Sequence, residues 1–383
     1  MSWVTREVMD DINEAAGRRW RDLDPMLPVP RDLPEGCTAP LVVTGDDGRP
    51  AGFGVCRHQH VPADALEQAW GAATRLVLTP RLSQPDAYPA LDELLGQWRD
   101  HLAGLPEEHD EDAAMLEWPS RDISGVNALL KHGMQAITVL AVRPAGRAML
   151  VADTDTPADV VIRAAGPDDL DAVTELEMGV IRFDAHFGAA ILRPATEALV
   201  RAATRKALAR RQDWVWVAER SRRLVGLVHV LPPDESAWIA GMTRPVTTAY
   251  LQSMFVAPDE RGGGLGAALV RRAHDELDAR GISITLLHYA QLNPLSGPFW
   301  SRMGYRPLWT GFQSRPAVSL RLPRSGMIVQ VPSRNAEVLL MVASEKRLGH
   351  VWRYPTAGTW TKTVDEDGGQ RRRNVGRRAR AAS

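Results

Sequence analysis

The residues with the clearest chemical potential are four glycines within the segment Arg261–Gly266. Before them, Tyr250–Val256 is rich in β-forming residues and is followed by Pro258, which is typical of the end of a strand. After them, apolar residues recur at helical spacing: Leu265, Leu269, Ala273 and Leu277. Amides at the start of a helix lack intrahelical partners and carry partial positive charge, and glycine leaves no side chain in front of them. The segment therefore predicts a site for a pyrophosphate.

The spacing of the glycines narrows the identity of that pyrophosphate. No Lys-Ser or Lys-Thr pair follows the last glycine, so the segment is not a Walker loop, and the glycine order differs from a dinucleotide-binding fingerprint. Arg261, Gly264 and Gly266 instead match an Arg/Gln-x-x-Gly-x-Gly loop, and here the chain resembles the GNAT acetyltransferases. The resemblance implies that the ligand is acyl-CoA.

A second motif downstream resembles the same family. Asn293, the aromatic pair Phe299-Trp300 and the pair Gly304-Tyr305 follow the strand-like run Ile282–Tyr289. A glycine triplet alone is most often a plain turn, and the two motifs in register favour the acyl-CoA site. The resemblance implies these cofactor-binding residues: Met254, Phe255, Val256, Arg261, Gly262, Gly263, Gly264, Leu265, Gly266, Ala267, Asn293 and Trp300.

The reaction implied by the resemblance is attack of a neutral amine on the thioester of acetyl-CoA. The amine must lose a proton, and the departing thiolate benefits from gaining one. Backbone amides of Met254–Val256 would bind the pantetheine arm and the thioester oxygen. The segment Arg182–Phe187 corresponds to the acceptor side of relatives, and a substrate role and a plain surface loop are equally open for it.

The residues that move these protons are not identified by the pattern. Many relatives carry a tyrosine seven residues after the asparagine as the acid, whereas this chain has Trp300, whose indole is only a hydrogen-bond donor. Relatives often place a Glu or His on the strand before the loop, where this chain offers Gln252 and Ser253. The catalytic residues are unassigned, and the candidates come from neighbouring segments: His288, Glu235, His229 and Tyr305.

Length and composition bound the class of protein. A chain of 383 residues exceeds the usual size of one core, which predicts two domains. The formal net charge of −1 indicates neither a membrane surface nor a globally basic nucleic-acid binder. Cys37 and Cys56 have neither metal-ligand nor disulfide spacing, so we expect no metal and a reducing compartment. Without a signal peptide or a long apolar run, the sequence predicts a cytoplasmic protein.

The first 150 residues predict a second copy of the same fold. Thr79-Pro80 lies 178 positions before Ala257-Pro258, and Gly133-Met134 lies 171 positions before Gly304-Tyr305. The first copy has no glycine in Arg81–Asp86, where the second has its glycine loop. We therefore expect the first copy to be degenerate and to have lost acyl-CoA binding.

The predicted fold class is α/β, of mixed α+β type, with two tandem GNAT-like domains that are each a mixed, mostly antiparallel sheet flanked by helices. The degenerate domain covers residues 1–152, and the acetyl-CoA-binding domain covers residues 153–316. Residues 317–367 form a small appendage with a predicted β-hairpin, and residues 368–383 form a disordered basic tail. An acidic run at Glu107–Asp112 is interpreted as a solvated loop.

Three functions stay open at this point. The first is an N-acetyltransferase that uses acetyl-CoA as co-substrate and acts on a primary amine of a small molecule, a peptide N-terminus or a lysine. The second is a non-catalytic acyl-CoA binder or sensor, suggested by Trp300 and by the missing base. The third is a nucleic-acid-associated protein acting through the arginine-rich tail, which is disfavoured because no aromatic residues accompany the arginines. No membrane partner is expected, and a homodimer is compatible with all three.

Overall fold

The computed structural model describes residues 5–30, 33, 36–38, 40–105, 112–151, 157–210 and 212–321, together with four strands between residues 327 and 363. The chain divides into two compact units, residues 1–320 and residues 321–383, which are described separately. The basic tail at residues 368–383 and Glu107–Glu111 of the acidic run lie outside the described residues.

The first unit contains two copies of one order of elements. The first repeat is a helix, three strands, and then an alternation of helices and strands: α1 (Arg6–Leu23), β1 (Leu41–Thr44), β2 (Pro50–His60), β3 (Thr74–Leu82), α2 (Tyr88–Ala103), β4 (Asp112–Pro119), α3 (Ile123–Lys131) and β5 (Gln135–Pro144). The second repeat has an extra strand and helix at its start, and two single-turn helices: β6 (Val160–Ala164), α4 (Leu170–Ala185), α5 (Thr196–Leu208), β7 (Val215–Arg220), β8 (Arg223–Leu231), α6 (Ala237–Ala240), β9 (Thr248–Val256), α7 (Leu265–Ala279), β10 (Ile284–Ala290), α8 (Ser296–Arg302), β11 (Arg306–Ser314) and α9 (Val318–Arg321).

The strands of this unit form one 11-stranded sheet in the order β1-β2-β3-β4-β11-β5-β10-β9-β8-β7-β6. The last strand of each repeat is exchanged: β5 pairs with β10, β11 pairs with β4, and β5 and β11 pair with each other at the centre. In both repeats the third and fourth strands of this shared order, β3 with β4 and β9 with β10, are parallel neighbours. The two repeats are therefore related by an internal pseudo-twofold axis near the middle of the sheet, and the predicted tandem GNAT-like fold is confirmed.

Helices cover both faces of the sheet and create a core on each. Helices α2, α3, α7 and α8 cover one face, and α1, α4 and α5 cover the other. The helix predicted after the glycines is α7, and its apolar stripe is buried as the spacing requires: Leu265, Leu269, Ala273 and Leu277. These side chains pack on β7, β8 and β9, so the sheet fixes the position of the helix start.

β4 was not predicted from the sequence. β4 alternates buried residues such as Leu116 and Trp118 with outward ones, and it begins at Asp112, the last residue of the acidic run. The interpretation of Asp112 as part of a solvated loop is wrong, because its side chain is 3% exposed and accepts a hydrogen bond from the amide of Ala317 at 2.9 Å. A carboxylate that caps a backbone amide at the edge of a core is stabilised there by that bond.

The second unit contains a four-stranded antiparallel sheet. Its strands follow chain order: β12 (Met327–Pro332), β13 (Val338–Ser344), β14 (Arg347–Tyr354) and β15 (Thr361–Thr363). β14 and β15 pair at the position of the predicted hairpin. Domain boundaries after residues 152 and 316 stay predictions.

Candidate active site

The two parallel strands β9 and β10 separate along their length. They pair over three residues of each strand, Thr248–Tyr250 and Ile284–Leu286. Beyond these residues β9 continues to Val256 and β10 to Ala290 without pairing to each other. A gap therefore opens in the sheet, and backbone groups on the facing edge of β9 have no strand partner there.

A bulge in β9 accounts for the separation. His229 on β8 lies opposite Ser253, and the next residue, Val230, lies opposite Leu251, so Gln252 is the extra residue of β9. An extra residue bends the strand that carries it and increases its twist. The bulge thus turns the end of β9 away from β10.

The alternation of the ladder decides which amides of β9 face the gap. The amide of Ala257 donates to the carbonyl of Val225 at 2.9 Å, so these two residues form a hydrogen-bonded pair. Such pairs alternate along an antiparallel ladder with pairs whose backbone groups point away. By this alternation, Met254 and Val256 direct their amides away from β8 and toward the gap. Two backbone donors therefore line it.

The glycine loop presents a row of unused amides at the end of this gap. Gly262 and Gly264 have φ angles of +90° and +84°, which favour glycine. Helix α7 starts next at Leu265, and its first intrahelical bond runs from the amide of Ala268 to the carbonyl of Gly264. Within the described part of the chain, the amides of residues 262–267 donate to no acceptor. Free amides at the positive end of a helix form an anion-binding site.

Two arginines fix the turn that precedes the loop. Arg220 and Arg223, at the ends of the β7–β8 hairpin, both form ion pairs with Glu260, and Arg223 also lies 2.8 Å from Asp259. The Glu260 side chain is only 8% exposed. Because a largely buried carboxylate needs its cationic partners, the pairs hold the turn Pro258–Glu260 in place.

Arg261 connects the loop to α4. Its Nε donates to the carbonyl of Val256 at 2.9 Å, and its guanidinium lies 5.0 Å from the ring of Phe183 and 5.3 Å from that of Phe255. These are cation–π distances. The terminal nitrogens of Arg261 make no hydrogen bond to the described residues, so they are free to contact a phosphate.

The glycines of the loop are not equivalent. A Cβ atom on Gly266 would lie 2.8 Å from Cε of Met254 and 3.3 Å from the ring of Phe299, and Gly264 requires positive φ. Gly263 has open space around the position of a Cβ atom and no positive φ. A side chain at residue 263 therefore tests the chemistry of the loop without straining it.

The first repeat has no counterpart of this loop. β3 continues through Thr79-Pro80 to Leu82 instead of ending there. At the start of α2, the amide of Ala87 donates to Ser124 Oγ at 3.2 Å, and the amide of Tyr88 donates to Asp86 Oδ1 at 3.0 Å. Pro89 follows and has no N–H. The first repeat therefore lacks the glycine loop of the second, and its loss of acyl-CoA binding stays a prediction.

Asn293 and Trp300 lie inside the protein. The Asn293 side chain donates to Asp184 Oδ1 at 3.1 Å and accepts a hydrogen bond from the amide of Leu295 at 3.0 Å. Trp300 packs edge-on against Tyr305 with 5.3 Å between ring centroids. Asn293 thus joins α8 to α4, and Trp300 fills the core under α8. Their contact with a cofactor stays a prediction.

Two of the four catalytic candidates are committed to other contacts. Glu235 binds Arg210 through both oxygens, at 2.9 and 2.7 Å, and the arginine lowers the pKa of Glu235. Tyr305 is 3% exposed, and its hydroxyl lies 3.2 Å from Nε2 of His274. Burial raises the pKa of the Tyr305 hydroxyl. A carboxylate kept ionised by an arginine is a weak base, and a phenol inside the core is hard to ionise.

His288 lies beside the gap, on the part of β10 that pairs with β5 but not with β9. Its Nδ1 is 3.0 Å from the hydroxyl of Tyr250, and Trp238 stacks on its ring with 13° between the planes. Burial lowers the pKa of His288 to about 4. The imidazole is therefore neutral at pH 7 and a weak base, and it forms one wall of the site.

His229 forms a buried pair with Glu177 of α4. The two side chains are 3% and 5% exposed, and Nδ1 of His229 lies 2.9 Å from Oε1 of Glu177. An ionised carboxylate only accepts, so Nδ1 carries the hydrogen and Nε2 carries the lone pair. Nε2 is buried and has no hydrogen-bond partner among the described residues. A buried polar atom without a partner is rare and indicates the position of a water or a ligand.

Glu177 was missed in the sequence analysis. It lies four residues after Val173 and four before Ile181, both of which are buried on the same stripe of α4. A glutamate in the apolar stripe of a helix is seldom buried without a partner. That spacing was the signal available in the sequence.

Comparison with known proteins gives a family match for one segment of the chain. Residues 211–307, which include the gap and the glycine loop, match the family model described as an acetyltransferase (GNAT) domain. The matched segment is thus similar to a GNAT acetyltransferase domain, and the fold of that family indicates transfer of an acyl group from acyl-CoA. A search of curated protein sequences returned no match.

Several solved structures are similar to the chain. One is a GCN5-related N-acetyltransferase from Sphaerobacter thermophilus (15% identity, 77% of this chain and 84% of that chain covered, TM-score 0.46). A second is an acetyltransferase from the GNAT family from Colwellia psychrerythraea (12% identity, 80% and 96% covered, TM-score 0.42). A third is a tandem GNAT protein from the clavulanic acid biosynthesis pathway (15% identity, 79% and 95% covered, TM-score 0.39). All three TM-scores are below 0.5, so the likeness to acetyltransferases rests on the family model that matches residues 211–307.

No helix in the described part of the chain is long and apolar enough to cross a membrane. Across the same residues, no group of three or more His, Cys, Asp or Glu side chains is arranged to hold a metal ion. The cytoplasmic location and the homodimer stay predictions.

Proposed function

We propose that the protein is an N-acetyltransferase that transfers the acetyl group of acetyl-CoA to a primary amine. The observation that carries the proposal is the gap beside β9 with a loop of free amides at its end. The amides of residues 262–267 would bind the pyrophosphate of CoA. The amides of Met254 and Val256 would bind the pantetheine arm and the thioester oxygen, and donors near that oxygen stabilise its charge during attack.

We infer that His229 accepts the proton of the attacking amine. The amine nitrogen bonds to the carbonyl carbon, the carbon–sulfur bond breaks, and the proton passes to Nε2 of His229 directly or through a water. Glu177 holds the imidazole in the required tautomer and stabilises the imidazolium. Of the four candidates, only His229 combines a buried, unpartnered acceptor with a carboxylate on its other nitrogen.

The departure of CoA does not require a side-chain acid. A thiol has a pKa of about 8–9, so its thiolate is a good leaving group at neutral pH. Trp300 in place of the tyrosine of relatives is therefore compatible with turnover. The sensor function, in contrast, predicts that acetyl-CoA binds but is never consumed.

Release of free CoA thiol in the presence of a panel of primary amines tests the proposal. We expect turnover by the wild type, and a loss of about 10²-fold or more in kcat for His229→Gln with unchanged acetyl-CoA affinity. His58→Gln is the control, because His58 is exposed on β2 in the first repeat. Tight binding of acetyl-CoA without thiol release for any amine would instead establish the sensor function. Full activity of His229→Gln would remove His229 from the reaction.

A further inference from the structure

Trp238 is a large apolar side chain that the fold leaves in contact with solvent. It is 61% exposed, more than any other tryptophan in the described part of the chain. A single exposed apolar residue is common on protein surfaces and by itself indicates no function. Trp238 differs from such residues in its position, because it lies beside the gap between β9 and β10 and other rings hold it there.

The turn that carries Trp238 is anchored on both sides. Trp238 belongs to the single-turn helix α6. Just before this helix, Ser236 is fully buried, and its hydroxyl donates to the carbonyl of Leu231 at 3.0 Å. Just after Trp238, Ile239 is buried in the same core cluster as Trp309. The backbone therefore holds the exposed indole in a fixed place.

Two other rings border the indole at the start of the gap. Trp238 meets the ring of Tyr250 edge-on, with 5.1 Å between the centroids, and lies nearly parallel to the ring of His288, with 6.5 Å between the centroids. Parallel rings at that distance are offset rather than directly superposed. Trp238 and the partly buried His288 therefore form one stepped, flat surface. We call Trp238, Tyr250 and His288 the aromatic wall.

The aromatic wall lies on the same face of the sheet as His229. Tyr250 belongs to a core cluster that includes Trp20 of α1. His229 forms its hydrogen bond with Glu177 of α4. Since α1 and α4 cover the same face, the aromatic wall and the proposed base border the gap from one side.

The aromatic wall is also close to His229 along the sheet. The neighbouring strands β8, β9 and β10 carry His229, Gln252 and His288 respectively. Gln252 and His288 each lie two positions beyond the last residues that pair β9 with β10. The side-chain nitrogen of Gln252 lies 3.5 Å from Nδ1 of His229. Two strand spacings of about 4.8 Å separate β8 from β10, or roughly 10 Å. An amine whose nitrogen meets His229 therefore reaches the aromatic wall with a group only a few carbon atoms away.

The surroundings of Trp238 favour an apolar group over a cation. A cation on an exposed aromatic ring is held weakly. Of the two carboxylates that precede α6, Glu235 is already paired with Arg210 and Lys206. The other, Asp234, is exposed, and ion pairs in water contribute little. An apolar group, in contrast, gains free energy in proportion to the area that it and the indole remove from water.

We propose that the aromatic wall binds an apolar group of the acceptor, so that the substrate is a primary amine with a flat apolar group, such as a phenyl ring, a few carbon atoms from its nitrogen. The inference rests on the proposed N-acetyltransferase function, and it names the class of acceptor. The amine nitrogen lies at His229, and the apolar group packs on Trp238 and His288. This contact is remote from the reacting atoms, so it is made equally before and during the reaction and acts mainly on KM.

Kinetics with a matched pair of amines test this proposal. The substrates are 4-phenylbutylamine and butylamine, which differ only in the phenyl ring. For the wild type we expect kcat/KM to be about tenfold or more higher for 4-phenylbutylamine, mainly through a lower KM, because burial of an aromatic ring is worth this factor. Trp238→Ala is expected to reduce the preference to about twofold or less, whereas Trp238→Phe keeps a ring and should retain most of it.

Trp70→Ala is the control variant. Trp70 is an exposed tryptophan at the end of the turn Leu66–Trp70, which lies between β2 and β3 of the first repeat as α6 lies between β8 and β9 of the second. Its replacement should leave the preference for 4-phenylbutylamine unchanged. An equal preference in wild type and Trp238→Ala would overturn the proposal. A wild-type preference for 1,6-diaminohexane over 4-phenylbutylamine that Trp238→Ala removes would also overturn it, because the wall would then bind a cation.

Calorimetric titration of 4-phenylbutylamine into the protein in the presence of CoA separates this inference from the proposed function. If no amine is acetylated, the proposed function fails, while weaker binding of 4-phenylbutylamine to Trp238→Ala than to wild type still supports the aromatic wall as its site. Equal binding to both proteins contradicts the site whatever the outcome for turnover.

Discussion

The exchange of the last strands predicts that neither repeat folds without the other. β5 of the first repeat pairs with β10, and β11 of the second repeat lies between β4 and β5. Five large side chains at these junctions are at most 4% exposed: Leu140, Val142, Leu286, Trp309 and Phe312. Burial of one such side chain contributes about 1.5–3 kcal/mol, so together they contribute roughly 10 kcal/mol. That is the size of the whole stability of a typical domain, about 5–15 kcal/mol.

Separate expression of residues 1–152 and 153–321 tests this prediction. Circular dichroism and urea denaturation should show no cooperative transition for either fragment alone, and a cooperative transition when the two are mixed. The mixture is the control, because it contains the same cut and the same residues. Cooperative unfolding of 153–321 alone, at a midpoint close to that of residues 1–321, would refute the reasoning. The boundary at residue 152 would then separate two independently folding domains.

Three smaller predictions concern stability. Leu269 lies in the fully buried stripe of α7. Leu269→Ala should lower the free energy of unfolding, measured by urea denaturation, by about 3–5 kcal/mol. A decrease below about 1 kcal/mol would contradict the packing described. Burial lowers the pKa of His274 from 6.5 to about 3. Below pH 6.5 the unfolded chain therefore binds more protons than the folded protein, and the free energy of unfolding should fall as the pH drops from 6.5 toward 3. The fall should be less steep in His274→Gln, as measured by urea denaturation at several pH values. Loss of water around Glu117 raises the pKa of its carboxyl from 4.5 to about 7. Between these pH values the folded protein binds more protons than the unfolded chain, so the free energy of unfolding should fall as the pH rises from 4.5 to 7. Glu117→Gln should remove this fall, and parallel pH profiles of the two proteins would contradict the prediction.

Local patterns were sufficient for the glycine loop and the helix after it. The spacing of Leu265 and Leu269 fixes the buried face of α7, and the position of the glycines at its start follows from the same periodicity. The absence of glycine in Arg81–Asp86 likewise indicated that the first repeat has no counterpart of the glycine loop. These features depend on residues close together in the chain, and the sequence contains them directly.

Features that depend on strands of both repeats could not be predicted. β4 was missed because its alternation is short and begins within an acidic run, and the exchange of β5 and β11 depends on tertiary pairing. His229 was one of four equal candidates until the structure paired it with Glu177.

Binding of acetyl-CoA to a variant of Gly263 tests the central claim most directly. Gly263→Asp places a carboxylate among the free amides without backbone strain or steric conflict, and Gly263→Asn is the control of the same shape without the charge. A carboxylate about 5 Å from a phosphate charge costs about 3 kcal/mol at an effective dielectric constant of 20, or roughly a hundredfold in affinity.

Isothermal titration calorimetry measures the dissociation constant of acetyl-CoA for the three proteins. The account predicts similar dissociation constants for the wild type and Gly263→Asn, and an increase of roughly a hundredfold for Gly263→Asp. Equal affinity of the Asp and Asn variants, or no binding of acetyl-CoA to the wild type, would contradict the placement of acyl-CoA on this loop.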